Sequence, residues 1–377
     1  PQNLFAGPVD LVTFNPSLPN GATLAGPQLQ RLGIVYPDGN TAVTPLVEST
    51  GIDNLNSIDP NFRNAYTEQW SLQVERQLTR NMVLDVGYMG NHGVHLPMSE
   101  DFNRINRTTG LLDHPNFGEF DYYQSADMSN YNSLQVSLKK RFSHNLMFDL
   151  YYTYSSNTTY WGDAMTGSDS DYGPQDLNNL AANHGPAPQM QRHVVTGDLV
   201  YRLPFGNTLL STNNPVLKGI IGGWQIGGTW NFHSGSPLLI VQGDNNSPGA
   251  RPDLLVTSPN MTVRGNYRTP LPGGQIMYLN TDMFAEVPLG PGGTTTRPGT
   301  LSRNGVFGPG AWTMDASLFK NFRIEERATL QLRLDVFNLW NHTNFDNPEI
   351  DITSSHFGVI TGSAPGRVLQ LSARIDF

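Results

Sequence analysis

Four aspartates, Asp85, Asp149, Asp198 and Asp335, and four arginines, Arg192, Arg202, Arg333 and Arg374, are the polar groups of this chain best placed to do chemistry. Charges of both signs suit a hydrogen-bonded lining or inter-strand salt bridges better than a one-sign ion filter. Other chemistries lack the spacing they need. The chain has no Gly-x-Ser-x-Gly elbow, no His-Glu-x-x-His and no Gly-x-x-x-x-Gly-Lys, so catalysis is not expected. His92 and His95 belong to no helix-spaced motif and read as ordinary strand-end histidines rather than a metal pair. Asp163, Asp169, Asp171 and Asp176 could offer carboxylate oxygens to Ca²⁺, although solvated loop charge is the simpler reading. Phe117, Phe120, Tyr122 and Tyr123 form an aromatic stretch suited to contact a cargo or to pack on neighbouring loops. No metal and no cofactor is expected.

Composition narrows the field. The 377 residues allow two average domains or one large all-β body. Hydrophobic residues make up 38%, and the mean hydropathy is −0.36. No apolar run reaches the roughly 18 residues a membrane helix needs. A transmembrane barrel stays open, because lipid-facing and lumen-facing residues alternate and dilute the average. The absence of cysteine removes disulfides and thiolate metal sites. A net charge of −9, with 23 Lys and Arg mostly scattered singly, argues against nucleic acid.

The elements that must position the charged residues are strands in hairpins. Tyr66 to Leu78 runs into a turn at Thr79-Arg80-Asn81 and returns from Met82 to about His95. Asn130 to Phe142 turns at Ser143-His144-Asn145 and returns from Leu146 to about Ser156. Trp312 to Phe322 turns through Arg323 to Arg327 and returns from Ala328 to about Asn341. Each alternates with period two: Trp70, Leu72, Val74 and Leu78 share a side, as do Leu330, Leu332, Leu334 and Val336, with Gln331, Arg333 and Asp335 opposite. Two further strands are expected at about His193–Leu203 and Gly222–Ser234, and two more around Pro237–Val241 and Ile276–Asn280. A soluble sandwich alternates in the same way, so alternation alone does not choose.

Loop lengths do choose. The three hairpin turns are short, whereas the connections 96–129, 157–189, 235–311 and 342–366 are long. Tight turns at one end and long loops at the other is the outer-membrane arrangement. The connection 204–221 is the exception, being long for the short-turn end. Arg76, Lys140 and Lys320 each sit on an apolar face two residues before Leu78, Phe142 and Phe322, where they are expected to snorkel to headgroups. The last strand alternates through Leu369, Leu371, Ala373 and Ile375 and stops on Phe377, an aromatic at a membrane boundary. Ile375 and Phe377 are therefore the expected assembly-signal residues. Residues 1–65, rich in Gly, Pro and Asn, read as a loop-rich, mainly extracellular segment, and 66–377 as barrel strands with long extracellular loops.

Several of these stretches resemble the TonB-dependent receptor-like barrels of the Oar type. They include Tyr66-Thr-Glu-Gln-Trp-Ser-Leu-Gln-Val-Glu-Arg76, Asp85-Val-Gly-Tyr-Met-Gly-Asn-His-Gly-Val-His95 and Tyr131-Asn-Ser-Leu-Gln-Val-Ser-Leu-Lys-Lys-Arg141. Arg192-His-Val-Val-Thr-Gly-Asp198, Gly222-Gly-Trp-Gln-Ile-Gly227 and Phe337-Asn-Leu-Trp-Asn-His-Thr-Asn-Phe345 continue the match, in order, over about residues 60–377. The resemblance implies an antiparallel transmembrane β-barrel of about 22 strands, preceded by a signal peptide and a plug. The chain, which begins Pro-Gln-Asn, is then expected to be the carboxy-terminal part of such a barrel. Ser372 departs from the usual final-strand pattern, where glycine is commoner. The implied function is transport of a bulky substrate across the bacterial outer membrane, with outer-membrane lipid, TonB (through the plug) and the barrel-assembly machinery as partners. A structural or adhesive surface barrel is the rival reading.

Overall fold

Period-two segments bounded by tight turns can satisfy their backbone only by pairing with neighbours, and they do so in one large sheet. In this computed structural model the residues described are 52–114, 117–161, 173–205, 209, 213–243, 249–255, 270, 275–324 and 328–377. The sheet contains β1 (Ile52–Ile58), β2 (Tyr66–Thr79), β3 (Met82–Asp101), β4 (Phe117–Ser143), β5 (Leu146–Thr159), β6 (Gly185–Pro186), β7 (His193–Arg202), β8 (Trp224–His233), β14 (Ala311–Ile324), β15 (Ala328–Phe337) and β17 (Val368–Asp376). Nine of them form the wall, in the order β17-β15-β14-β8-β7-β5-β4-β3-β2. All the wall pairings are antiparallel. β2 and β17 lie at its two ends, so the sheet is barrel-like but not closed among the described residues.

Turn chemistry sets the register. Ser143 pairs with Leu146, and between them His144 and Asn145 both take left-handed φ, 52° and 64°. That is the two-residue hairpin whose twist matches the strands it joins. Arg80 and Asn81 make a two-residue loop of the same length between Thr79 and Met82, without left-handed φ; a bulge beside it leaves Leu78 out of the ladder. The third turn lies partly outside the described residues, at 325–327. β15 ends at Phe337, earlier than the sequence pattern suggests. Asn338, with φ of 53°, leaves the strand and closes a turn by exchanging hydrogen bonds with His342.

At the opposite end the strands overrun the length a membrane needs, about 9–11 residues. β3 and β4 continue as a paired ribbon as far as Asp101 opposite Asp121, and β1 joins β4 in parallel from Phe117 to Tyr123, where the sequence reading had loop. Pro237–Val241 and Ile276–Asn280 do not supply wall strands. They form only two-residue strands, β9 (Pro237–Leu238) with β13 (Val306–Phe307) and β11 (Ile276–Met277) with β16 (Val359–Ile360), and Val241 adds a single parallel bridge to Asp351. With β10 (Asp253–Leu254) and β12 (Phe284–Ala285), these short pairs shape the long loops into a cap with its own hydrophobic core. Leu238, Ile240, Leu279, Phe284, Leu301 and Val306 are among the residues buried there.

The 204–221 connection also has a structure. It carries the helix α1 (Pro215–Ile221), whose first N–H groups are capped by the Asn214 side chain, with Val216 N donating at 2.9 Å and Leu217 N at 3.2 Å. It stands at the short-turn rim, where Arg202 N donates to Asn145 O across the ends of β7 and β5.

Candidate functional site

Register turns the alternation of single strands into two continuous faces. On the apolar face, Leu138, Leu150, Gly197, Trp230 and Met314 follow one another from strand to strand. A second row on the same face, nearer the short-turn rim, runs through Leu318, Leu334 and Leu371. Gly197 is an opening for its neighbour, because a Cβ there would sit within 2.4 Å of the Trp230 indole. Of the three cations placed on this face, Arg76 follows the register beside Leu84, but the two lysines do not reach for headgroups. Lys140 Nζ turns into its own hairpin, donating to Ser143 O (2.7 Å), Ser143 Oγ (2.8 Å) and Leu146 O (2.8 Å). Lys320 Nζ donates to Gly219 O and, at 2.7 Å, to Ile220 O at the carboxyl end of α1. Bonding to turn carbonyls replaces hydration without exposing the charge to hydrocarbon.

The other face is polar. One row reads Lys139, Asp149, Asp198, Thr229, Asp315, each residue directly opposite the next. Two carboxylates directly opposite, Asp149 and Asp198, are destabilising for a sheet taken alone. Lys139, across from Asp149, supplies a balancing charge and also lies over the Tyr151 ring at 5.4 Å. Nearer the short-turn rim, Arg333 Nε donates to both oxygens of Asp335 (2.7 and 2.9 Å) and its Nη2 to Ser317 Oγ (3.1 Å), while the Ser317 hydroxyl donates to Asp335. Gln73 Nε2 donates to Asp85 Oδ2, and Asp85 Oδ1 is buried without a partner. A cavity of about 230 Å³ opens here, lined among others by Gln73, Asp85, Gln135, Lys139, Tyr151 and Thr153.

The remaining sequence-derived residues disperse. Arg192 leaves the wall to lay its guanidinium over Phe307 of the cap, 5.2 Å from the ring centre. Arg202 lies over Phe142 at the short-turn rim, 4.6 Å away. Arg374 pairs locally with Asp376 at 2.7 Å, and Phe377 is fully exposed beyond β17. Tyr122 is in edge contact with Phe102 and Phe120, and Phe117 and Tyr123 align with Ile52 and Ile58 of β1. Asp163, Asp169 and Asp171 lie outside the described residues, and Asp176 caps its own turn at Asn178 N. Lys139, Asp315 and Ser317 escaped the sequence reading, although the alternation of Thr313, Asp315 and Ser317 against Trp312, Met314 and Ala316 carries the signal.

Where wall passes into loop, buried charge concentrates. Glu100, near the far end of β3, is pushed up to about 8 by burial, which outweighs the Arg104 guanidinium 2.6 Å away. Burial also raises Asp127, against hydrogen bonds from the Thr159 hydroxyl and the Trp161, Met128 and Tyr160 N–H groups. In the cap, Arg251 is buried beside Arg303, and its guanidinium donates to Asn183 Oδ1 (2.6 Å), Leu301 O (2.9 Å) and Ala182 O (3.2 Å). Arg303 in turn donates to Thr159 O at 3.4 Å, so the two arginines sew the cap to the loop after β5.

An antiparallel wall with one apolar and one polar face, short turns at one rim and long loops at the other defines a membrane β-barrel. Residues 7–370 match the outer membrane beta barrel domain, and the chain belongs to that family. Its place is the bacterial outer membrane. The TonB-dependent transporter Oar of Myxococcus xanthus is 27% identical over 127 residues, which is 33% of this chain and 11% of that protein. Among solved structures it is similar to the outer membrane transporter YddB from Escherichia coli (11% identity, TM-score 0.45, 86% of this chain and 34% of that one). Another is BauA, the ferric preacinetobactin receptor from Acinetobacter baumannii (10% identity, TM-score 0.40, 82% and 29%). The chain thus spans about a third or less of the length of each of these proteins.

Proposed function

We propose that this chain forms part of the wall of a TonB-dependent transporter, with its polar face lining the path of a bulky substrate. The row Lys139, Asp149, Asp198, Asp315 carries the proposal. A wall that only held shape would gain nothing from two aspartates set opposite each other, whereas a wet lining accommodates them and can exchange hydrogen bonds with a plug or cargo. The similarity to Oar supports the same reading. In it, Asp85, Asp149, Asp198, Asp335 and Arg333 face the lumen, Phe120, Tyr122 and Tyr123 stand on the loop side where cargo arrives, and coupling comes from TonB through a plug.

The cap favours a second reading, an adhesive or structural surface barrel, because long loops with their own core make a stable working surface. Cross-linking in cells separates the two. The full-length protein with a photo-reactive residue at Asp149 should cross-link to a plug or periplasmic partner and lose that product when TonB is deleted. Cross-links unaffected by TonB, with cell adhesion lost on cap deletion, would favour the surface role.

A further inference from the structure

We infer that α1 is an in-plane membrane anchor, seated in the periplasmic leaflet of the outer membrane against the outside of the wall. This rests on the outer-membrane location alone and stands whether or not the barrel transports anything. Three observations converge on it. First, α1 is attached to the apolar face. Its last carbonyls, Gly219 O and Ile220 O, accept from Lys320 Nζ, and Ile220 O also accepts from Trp224 Nε1 at 3.1 Å. Lys320 and Trp224 are cross-strand partners in the apolar row that continues through Leu332 and Ala373. A cation at a helix carboxyl terminus both neutralises the dipole and fills carbonyls left without intrahelical donors. Lys320 is 2% exposed, its ammonium held between those carbonyls and the rings of Trp224 and Phe322.

Second, the face α1 turns outward is apolar. Val216, Leu217 and Ile220 fall on one helical side and are 67%, 49% and 56% exposed. Polar Lys218 and Gly219 fall on other sides of the turn. A cluster of this kind at the rim of a protein in water would be a liability, but here it is continuous with the lipid-facing band of the wall. Third, the position along the wall is right. α1 begins and ends at the short-turn rim, which outer-membrane barrels present to the periplasm, and Trp224 stands where interfacial aromatics gather. The exposed Lys218 is then within reach of lipid phosphates. The occupant of the α1 face is therefore phospholipid at the headgroup–acyl boundary, not a protein.

These 377 residues hold no cysteine, so a single one placed in α1 can report its surroundings once any cysteine elsewhere in the full-length protein is replaced by serine. Leu217→Cys and, separately, Ile220→Cys would be introduced into the full-length protein, labelled with an environment-sensitive fluorophore and reconstituted in phospholipid vesicles. Arg80→Cys, in the exposed turn between β2 and β3, serves as the reference at the same rim. The expected result is blue-shifted emission at 217 and 220, at least twofold stronger quenching by shallow nitroxide lipids than at 80, and weaker quenching by aqueous iodide. Water-like emission with iodide quenching equal to that at 80 would overturn the proposal. Shielding from both quenchers would overturn it too, by showing that a protein surface covers α1. Because both labelled positions are exposed, folding should survive, and an unchanged heat-modifiable gel shift checks it.

Discussion

The wall and the cap use the same apolar residues in opposite ways. Leu371 in the wall is 82% exposed, and Leu279 in the cap is fully buried. In the cap, ten buried side chains form a core, as in any water-soluble domain. In the wall, apolar side chains look outward, and cohesion comes from backbone pairing between neighbouring strands. Burial therefore measures stability in the cap and says little about it in the wall. One chain holds two solutions to two solvents.

The largest effects should separate these regimes. Leu279→Ala should cost the cap about 2–5 kcal/mol, because it opens a cavity among Tyr278, Met283 and Phe357. Faster amide exchange within 276–307 and 345–360, with the wall strands unchanged, is the expected readout. A charge on the lipid side reverses the pattern. Leu150→Arg, mid-wall on β5, should cost about 2–4 kcal/mol and lower the outer-membrane level of the protein while leaving the cap fold intact. If Leu150→Arg assembles normally, the apolar face does not meet lipid.

The zone between wall and cap should respond to pH. The folded carboxyl of Glu100 titrates near 8, above its ordinary 4.5, so the folded state binds the extra proton between those values. Stability of the β3–β4 ribbon should fall as pH rises from about 4.5 to 8, and Glu100→Gln should flatten the change. Exchange rates of the amides of 96–101 against pH test this. Smaller still is the effect expected at the carboxyl terminus. Phe377→Ala should reduce assembly, by loss of an interfacial ring, whereas Leu371→Ala should stay within about 0.5 kcal/mol because lipid replaces the lost contact. Heat-modifiable gel mobility of both variants compares them, and equal behaviour would make Phe377 incidental.

The wall was legible in the sequence because its signal is periodic and repeated. Gln331, Arg333 and Asp335 against Leu330, Leu332 and Leu334 admit a single division into faces. The cap was not legible, since two-residue strands such as Pro237–Leu238 carry no period and find partners almost seventy positions away. β1 was missed because its parallel partner lies beyond two intervening strands, with nothing local to announce it. The polar face was half visible. Aspartates stand out in an apolar alternation, but whether Arg192 turns to the lumen or to Phe307, and whether Lys320 reaches water or a helix end, depends on elements that local pattern does not place.

The strict register of the wall also says where this family of sequences can change length. Inserting one residue in the middle of β5 would carry every later side chain of that strand to the other face, placing Tyr151 and Thr153 in hydrocarbon and Tyr152 against the charges, until a turn resets the phase. A bulge can absorb the extra residue only where pairing is already irregular, as at Gln77/Thr79 or between Gly93 and Leu96. Growth and shrinkage of such genes is therefore channelled into the connections at the long-loop end, where parity carries no meaning. The surface a cell shows to its surroundings is left free to diversify while the wall that holds it stays the same length.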